Sequence, residues 1–507
     1  MISIYNPNIK NYTKSAIDAI ESGWISNHGI YIKKATDKLK EILNVKNIIL
    51  MANGTCATHC LFIGLKYKYP NISKIYIPNN CYVAAWNSLF NEYSKNIVEV
   101  LKMDIDTWNI NTNEDYIKRL AENSAMLIVH NLGNIINVPR LKKIRPDIIF
   151  IEDNCEGLFG LYENIKTGSS DSVLCSSVSF YGNKIITTGE GGAFFTNDDD
   201  LYNYMNKVYS QGMSDIRYLH DTHAYNYRMT NVQAAFLFDQ LNDLDNILLK
   251  KQLVFDNYKK LLFNSKIKLF KEEYGTNSAC WIFSIRLLNN KFSIDETYKF
   301  FNERNIDIRP FFYPINKHKH LSNIEFDDEN SDLLNKEIIM IPSSPDITIE
   351  EQEIVVNVIN QFIFFLETNY KIIEVNEDNK HLLAEFIKDI KSDSFRYFRN
   401  RDESVINNHV LTVLLIDNNK IFGYAHIDKE TLYNQYWFGI CLYNEYHNKG
   451  IGNKLMKYVL NHYKVKYLKE IYLTVDNTNI AGQKIYYKNG FNEMNSNSDY
   501  KTMKRVL

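Results

Sequence analysis

Lys184 lies in "FYGNKIITTGEGG", residues 180–192, between a run of strand formers and an acidic, glycine-rich turn. A lysine amine that loses its proton condenses with an aldehyde to form an imine, and neighbouring groups decide whether it can do so. "IEDNCEG" puts Glu152 and Asp153 at the carboxyl end of an expected central strand, where ligands bind in open α/β sheets. An aspartate there can hold a protonated heterocyclic nitrogen. "MANGTCATH" reads as strand, Gly-Thr turn and helix, so the backbone at Gly54 and the Thr55 hydroxyl can bind a phosphate. Ser179, five residues before Lys184, can reach the same phosphate, and Tyr82 in "PNNCYVAAWN" can stack on a flat ring. Singly, these pieces read as a turn, a strand-end cap and a core aromatic. Together, an imine-forming lysine, an acid for a ring nitrogen and a phosphate cup describe a pyridoxal phosphate site.

A second group sits near the end of the chain. In "YWFGICLYNEYHNKGIGNKLMKYVL", Gly450 and Gly452 open a helix directly after a strand, where N–H groups and the helix dipole favour a pyrophosphate. By itself this spacing also fits a plain helix entry. The later "NTNIAGQKIYYKNGF" adds Asn479, Tyr486, Gly490 and Phe491. His426 in "GYAHID" reads as a structural strand histidine or as a base aimed at a substrate amine. "CATHC", residues 56–60, lacks a second ligand pair and continues into the helix-like "LFIGLKY", so no metal is expected.

The elements that must position these residues follow from apolar patterning. "NIILM", "KIYIP", "IVEVL", "AMLIV", "DIIFIED" and "SVLCSSVSF" read as continuous buried strands alternating with helices or loops, the signature of a mostly parallel sheet covered on both faces. One long amphipathic helix is expected from "TNVQAAFLFDQLNDLDNILLKKQLVFDNYKKLLF". A smaller α+β region at about 250–367 follows, with "WIFSIRL" as a strand, "SIDETYKFFNERN" as a capped helix and a final helix after "IPSSP". After Tyr370 the pattern restarts as a separate α+β domain, 371–507, with a hairpin of "HVLTVLLID" and "KIFGYAHID". No Gly-, Pro- or Ser-rich linker separates the halves.

Composition limits the alternatives. The 507 residues exceed one ordinary domain, and 45% hydrophobic with 23% charged residues is usual for a globular protein. A net charge of -2 gives no electrostatic case for nucleic acid or an anionic membrane. No signal peptide or membrane span is expected, and seven scattered cysteines suit a reducing cytoplasm.

Residues 1–367 resemble the nucleotide-sugar aminotransferases of the DegT/DnrJ/EryC1/StrS family through "GWISNHG", "NGTCA", "IEDNCEG", "SFYGNKIITTGEGG", "YNYRMTNVQAA", "RPFFYPI" and "IPSSP", in family order. The resemblance implies the aspartate-aminotransferase fold (PLP fold type I), an α/β class. Lys184 would form the internal aldimine, Asp153 contact the pyridine nitrogen, Tyr82 stack on the ring, and Gly54, Thr55 and Ser179 hold the phosphate. Asn226 would reach the phosphate of the neighbouring subunit, giving a homodimer with shared sites. Glu156 stands where the family often has Gln or His, and resembles the subgroup that aminates C4 of 4-keto-6-deoxyhexoses to viosamine- or perosamine-type sugars. Relatives with His in place of the lysine are dehydratases, so Lys184 favours transamination, with glutamate as donor.

Residues 371–507 resemble the GNAT acetyltransferases. Acetyl-CoA would lie along Ile440–Leu442 and the loop 447–452, with Gly450, Gly452 and Asn479 in family positions. His447 replaces the usual Arg or Gln, and Tyr486 would protonate the departing thiolate. The two halves together imply a bifunctional enzyme that converts a nucleotide-linked 4-keto-6-deoxyhexose to an amino sugar and acetylates the new amine. Alternatives are the same chemistry at C3, acetylation of a separate partner, and a non-catalytic PLP-binding regulator.

Overall fold

The computed structural model describes residues 1–7, 9–324, 326–390 and 403–507. The chain divides into two compact units, Met1–Gln352 and Glu353–Leu507. The division falls inside the helix Ile349–Thr368, upstream of the boundary at 367 that the sequence pattern indicates. Beyond residue 353 this helix belongs to the second unit: Phe364 joins the core of Ile372, Phe422 and Leu455, and Asn357 bonds Tyr458 and Glu374.

The first unit is built on a seven-stranded sheet in the order Asn47–Met51, Gly192–Thr196, Val173–Ser179, Ile149–Asp153, Ser124–Val129, Lys74–Pro78 and Val98–Leu101. The six strands expected from sequence are all present and run parallel. The seventh, Gly192–Thr196, is antiparallel to both its neighbours and fully buried. Two apolar clusters contribute to the core, one holding Ile48, Leu50, Ile128 and Phe150 and the other Ile49, Ile77, Leu127 and Ile151. This alternation within single strands is what a sheet buried on both faces requires.

The expected long helix is two helices, Asn231–Asn242 and Leu244–Leu261. The break is at Asp243, whose backbone leaves helical values (φ -112, ψ 18) while its carboxylate accepts bonds from the Tyr12 hydroxyl and the Asn246 amide. Short acidic side chains compete with helix continuation in this way. The first helix starts at Thr230 in a capping box with Gln233, and "SIDETYKFFNERN" forms Ile294–Asn302 behind a Ser293–Glu296 box. A four-stranded antiparallel sheet of Ile267–Lys268, Ser284–Leu287, Ile338–Met340 and Arg309–Pro310 completes the smaller region.

The second unit is a seven-stranded sheet ordered Lys371–Glu374, His409–Asp417, Lys420–Glu430, Gln435–Leu442, Glu470–Asp476, Tyr500–Val506 and Asn492–Ser496. Asn418 and Asn419, both left-handed, make the tight turn between the second and third strands. Gln435–Leu442 and Glu470–Asp476 are its only parallel neighbours among the described residues, and they pair at a single position, Trp437 with Tyr472. The last two strands escape sequence reading because Asn492–Ser496 is exposed throughout and lacks any apolar alternation. Among the described residues, no helix is long and apolar enough to cross a membrane.

Candidate active site

Asp153 ends its strand, Ser179 ends the neighbouring one, and Lys184 follows in the loop after Ser179. All three therefore stand at the carboxyl edge of the parallel sheet. The Lys184 Nζ lies 4.0 Å from Glu156 Oε1 and 4.0 Å from the centre of the Trp281 ring. Trp281 is fixed by its indole N–H, which donates to the Asn183 carbonyl at 2.8 Å. The Tyr5 hydroxyl donates to the Lys184 carbonyl at 2.6 Å, so the lysine is held from both sides in sequence.

The two acids differ in their support. Glu156 is buried and accepts the Leu132 N–H at 2.8 Å. Leu132 holds a left-handed conformation (φ 55) to deliver that bond. Burial pushes the Glu156 carboxyl up to about 7, with Lys184 and the Leu132 bond pulling the other way. Burial also raises the Asp153 carboxyl, although Cys155 N–H donates to its Oδ1 and Lys184 lies near. Behind them, His130 accepts the Ile136 N–H at Nδ1, so its Nε2–H donates to Glu152 Oε1 at 2.7 Å in a fully buried pair.

The phosphate cup also takes shape. Gly54 opens the helix Gly54–Lys68, and Asn53 caps it by accepting Cys56 N–H. That leaves first-turn N–H groups of Gly54 and Thr55 for an anion. A Cβ on Gly54 would fall 2.6 Å from Ser179 Cβ and 2.9 Å from its Oγ, so a side chain there would fill the space between the two. A raised, buried carboxyl beside a lysine, with an N-terminal cup at the same sheet edge, fits pyridoxal phosphate: a pyridinium N–H supplies the partner that favours ionised Asp153.

The structure thus brings together Lys184, Asp153 and Glu156, and sets Gly54 against Ser179. Thr55, Tyr82 and Asn226 are exposed, Tyr82 meeting Phe312 edge-on. Trp281, Tyr5 and His130 were not found by sequence reading; they come from distant segments, and nothing in their local spacing marks them. In "CATHC", the two ring nitrogens of His59 are engaged by the Tyr227 hydroxyl and Glu92.

In the second unit a cavity of about 1140 Å³ opens where Gln435–Leu442 and Glu470–Asp476 separate, lined from both strands and by Gly450, Gly452, Asn479 and Tyr486. Gly450 adopts φ +75 at the helix entry, which explains glycine there by conformation. A Cβ on Gly452 would meet nothing closer than 3.6 Å, so the protein itself does not demand that glycine. Asn479 caps the helix Ile480–Lys488 by accepting Gly482 N–H. The His447 Nε2–H donates to the Leu442 carbonyl at 2.9 Å, tying the loop to the strand. Burial pushes the Tyr486 phenol up to about 12, which keeps it protonated and able to donate. His426 lines the same cavity, its ring stacked on those of His409 and Tyr424. Gly439, opposite it, makes room for the imidazole, since a Cβ there would lie 2.2 Å from the ring.

Comparison with known proteins supports both family resemblances. Residues 8–360 match the DegT/DnrJ/EryC1/StrS aminotransferase family, and residues 377–491 match the acetyltransferase (GNAT) family. The chain is 29% identical over 365 residues to GDP-perosamine synthase of Escherichia coli O157:H7, covering 71% of this chain and 98% of that protein. To the GDP-perosamine synthase of Vibrio cholerae it is 31% identical over 322 residues, 62% of this chain and 85% of the other. Among solved structures, Helicobacter pylori PseC, an aminotransferase involved in the biosynthesis of pseudoaminic acid, matches with TM-score 0.64 and 20% identity. That match covers 71% of this chain and 97% of the other.

Proposed function

The chain belongs to the DegT/DnrJ/EryC1/StrS aminotransferase family, and from that premise we propose that it makes an acetamido sugar in two consecutive steps. The first is transamination of a GDP-linked 4-keto-6-deoxyhexose by glutamate, and the second is acetyl-CoA-dependent N-acetylation of the new amine. The observation that carries the first step is the Lys184–Glu156–Asp153 cluster at the sheet's carboxyl edge. The resemblance to two GDP-perosamine synthases supports GDP and C4. Asn226, exposed on its own chain, suits a contact with the site of a second copy.

Pyridoxal phosphate, when bound, supplies an aldehyde for the amine and an electron sink for the carbon that loses a proton. Lys184 would be the residue that holds it, and its amine would carry the proton at the sugar carbon. Glu156, with its carboxyl at about 7, exists in both protonation states at neutral pH and can take or return a proton at Oε1 facing Lys184. Asp153 would hold the ring nitrogen, and Gly54, Thr55 and Ser179 the phosphate. Trp281 covers the lysine and limits its access to water.

In the second step the cavity of the other unit would hold acetyl-CoA, with Gly450 and Gly452 at the pyrophosphate and Tyr486 donating its proton to the leaving thiolate. His426 stands on the cavity wall as the candidate base for the amine. The test is a panel of GDP-, UDP- and dTDP-linked 4-keto-6-deoxyhexoses with glutamate and acetyl-CoA, read by mass spectrometry and proton NMR. Sequential appearance of the 4-amino and 4-acetamido sugars from the GDP substrate is expected. Amination at C3, or no acetylation of the released amine, overturns the assignment.

A further inference from the structure

Lys251 lies mid-helix in Leu244–Leu261 with no exposed surface. A cation there is costly unless its protons are taken up, and no carboxylate pairs with it among the described residues. Its Nζ donates instead to two backbone carbonyls, Trp281 at 2.7 Å and Ser343 at 2.5 Å. Trp281 is the residue whose ring covers the Lys184 Nζ. The chain reaches it through Cys280, a non-glycine residue in the left-handed region (φ 53). Such a turn persists only when its surroundings hold it. Tyr5, whose hydroxyl binds the Lys184 carbonyl, also places its ring 5.5 Å from the Lys251 Nζ. A leucine or methionine would fill a buried helix position without this desolvation cost, which brings the Lys251 amine down to about 7; its N–H groups are what join two carbonyls from separate segments.

We propose that Lys251 is a positioning residue for Lys184: it clamps the strained turn at Cys280 so that the Trp281 ring stays over the reactive amine. The proposal rests on the reading of Lys184 as the cofactor-bonding lysine, but its primary test needs no cofactor. The full chain is reductively methylated at fixed pH, and Lys184 labelling is followed by peptide mass mapping alongside the thermal midpoint. Loss of the ring–ammonium contact in Lys251→Met should speed Lys184 labelling by about two- to fivefold, the weight of one such contact. Trp281→Leu, which leaves the carbonyl bonded by Lys251 in place, should do the same. Lys250→Met, at an exposed neighbour paired with Asp346, should match the parent protein. Parent-like labelling of Lys184 in a folded Lys251→Met protein overturns the clamp. If that variant cannot be purified, parent-like labelling in Trp281→Leu overturns it equally. Titration with pyridoxal phosphate separates the two readings: absence of a borohydride-reducible adduct at Lys184 in the parent protein counts against the functional assignment, whereas the labelling ratios judge the clamp.

Discussion

Two glutamates, one buried in the first unit and one half-buried in the second, have been driven in opposite directions. Glu374 accepts bonds from the Asn357 amide (2.6 Å), His462 Nε2–H (2.9 Å) and Lys464 Nζ (3.1 Å). Burial alone would raise its carboxyl, but His462 and Lys464 bring it down to about 2. Glu156 has the Leu132 N–H and a lysine at 4.0 Å, and burial wins, leaving it at about 7. Glu374 is a satisfied hub that fastens the helix Ile349–Thr368 to its unit. Glu156 is under-supported, which is how a carboxyl is tuned to exchange protons near neutrality. The difference separates an acid whose bonds build structure from one whose surroundings suit the chemistry proposed for it.

The sharpest way to break this contrast is Lys184→Ala. Amino-sugar formation should fall by about 10³-fold or more, since both the covalent link and the proton carrier are lost. Acetylation of a supplied amino sugar should be unchanged, as mass spectrometry of both products will show.

The contrast also predicts opposite pH slopes for the cofactor-free protein. Glu156 stands at about 7 against an ordinary 4.5, so its contribution is full below about pH 4.5 and is lost as pH rises through 7. The change is about 3 kcal/mol at most, and denaturant titration of Glu156→Gln should show that slope flattened. Glu374, depressed from 4.5 to about 2, contributes above pH 4.5 and loses that contribution as pH falls towards 2. Glu374→Ala should cost about 2–3 kcal/mol of second-unit stability at neutral pH, with transamination intact, because His462 and Lys464 lose their partner. A Glu374 variant that instead altered the aminotransferase would erase the distinction.

The smallest effect tests the second cavity. Gly450→Ala forces a side chain into φ +75 at a cost of about 1 kcal/mol, with nothing nearby to clash. Calorimetric binding of acetyl-CoA should weaken while the Lys184 chemistry is untouched.

Strand-forming runs, the capped starts of the helices at 231 and 294 and the residues around Lys184 were legible in the sequence because each is a local signal. What escaped is non-local or locally atypical. Trp281 and Tyr5 reach Lys184 from distant segments, and Asp243 breaks a pattern that stays amphipathic across the break. Asn492–Ser496 joins its sheet without an apolar face. Glu156 was legible as a position, but its titration depends on burial and on a strained Leu132, which spacing does not encode.

The placement of Gly192–Thr196 also sets when the first site can exist. The strand Asn47–Met51 is among the earliest made, yet its sheet partner is this late antiparallel strand, with Asn47 opposite Thr196 and Met51 opposite Gly192. A growing chain that ends just after Lys184 already contains Gly54, Asp153, Glu156 and Ser179. It has no strand with which to draw Gly54 against Ser179. Such long-range pairing is slow to form, and its incomplete state exposes unpaired strand edges. Synthesis in chain order therefore delays the approach of Gly54 to Ser179 until the residues after Lys184 have emerged.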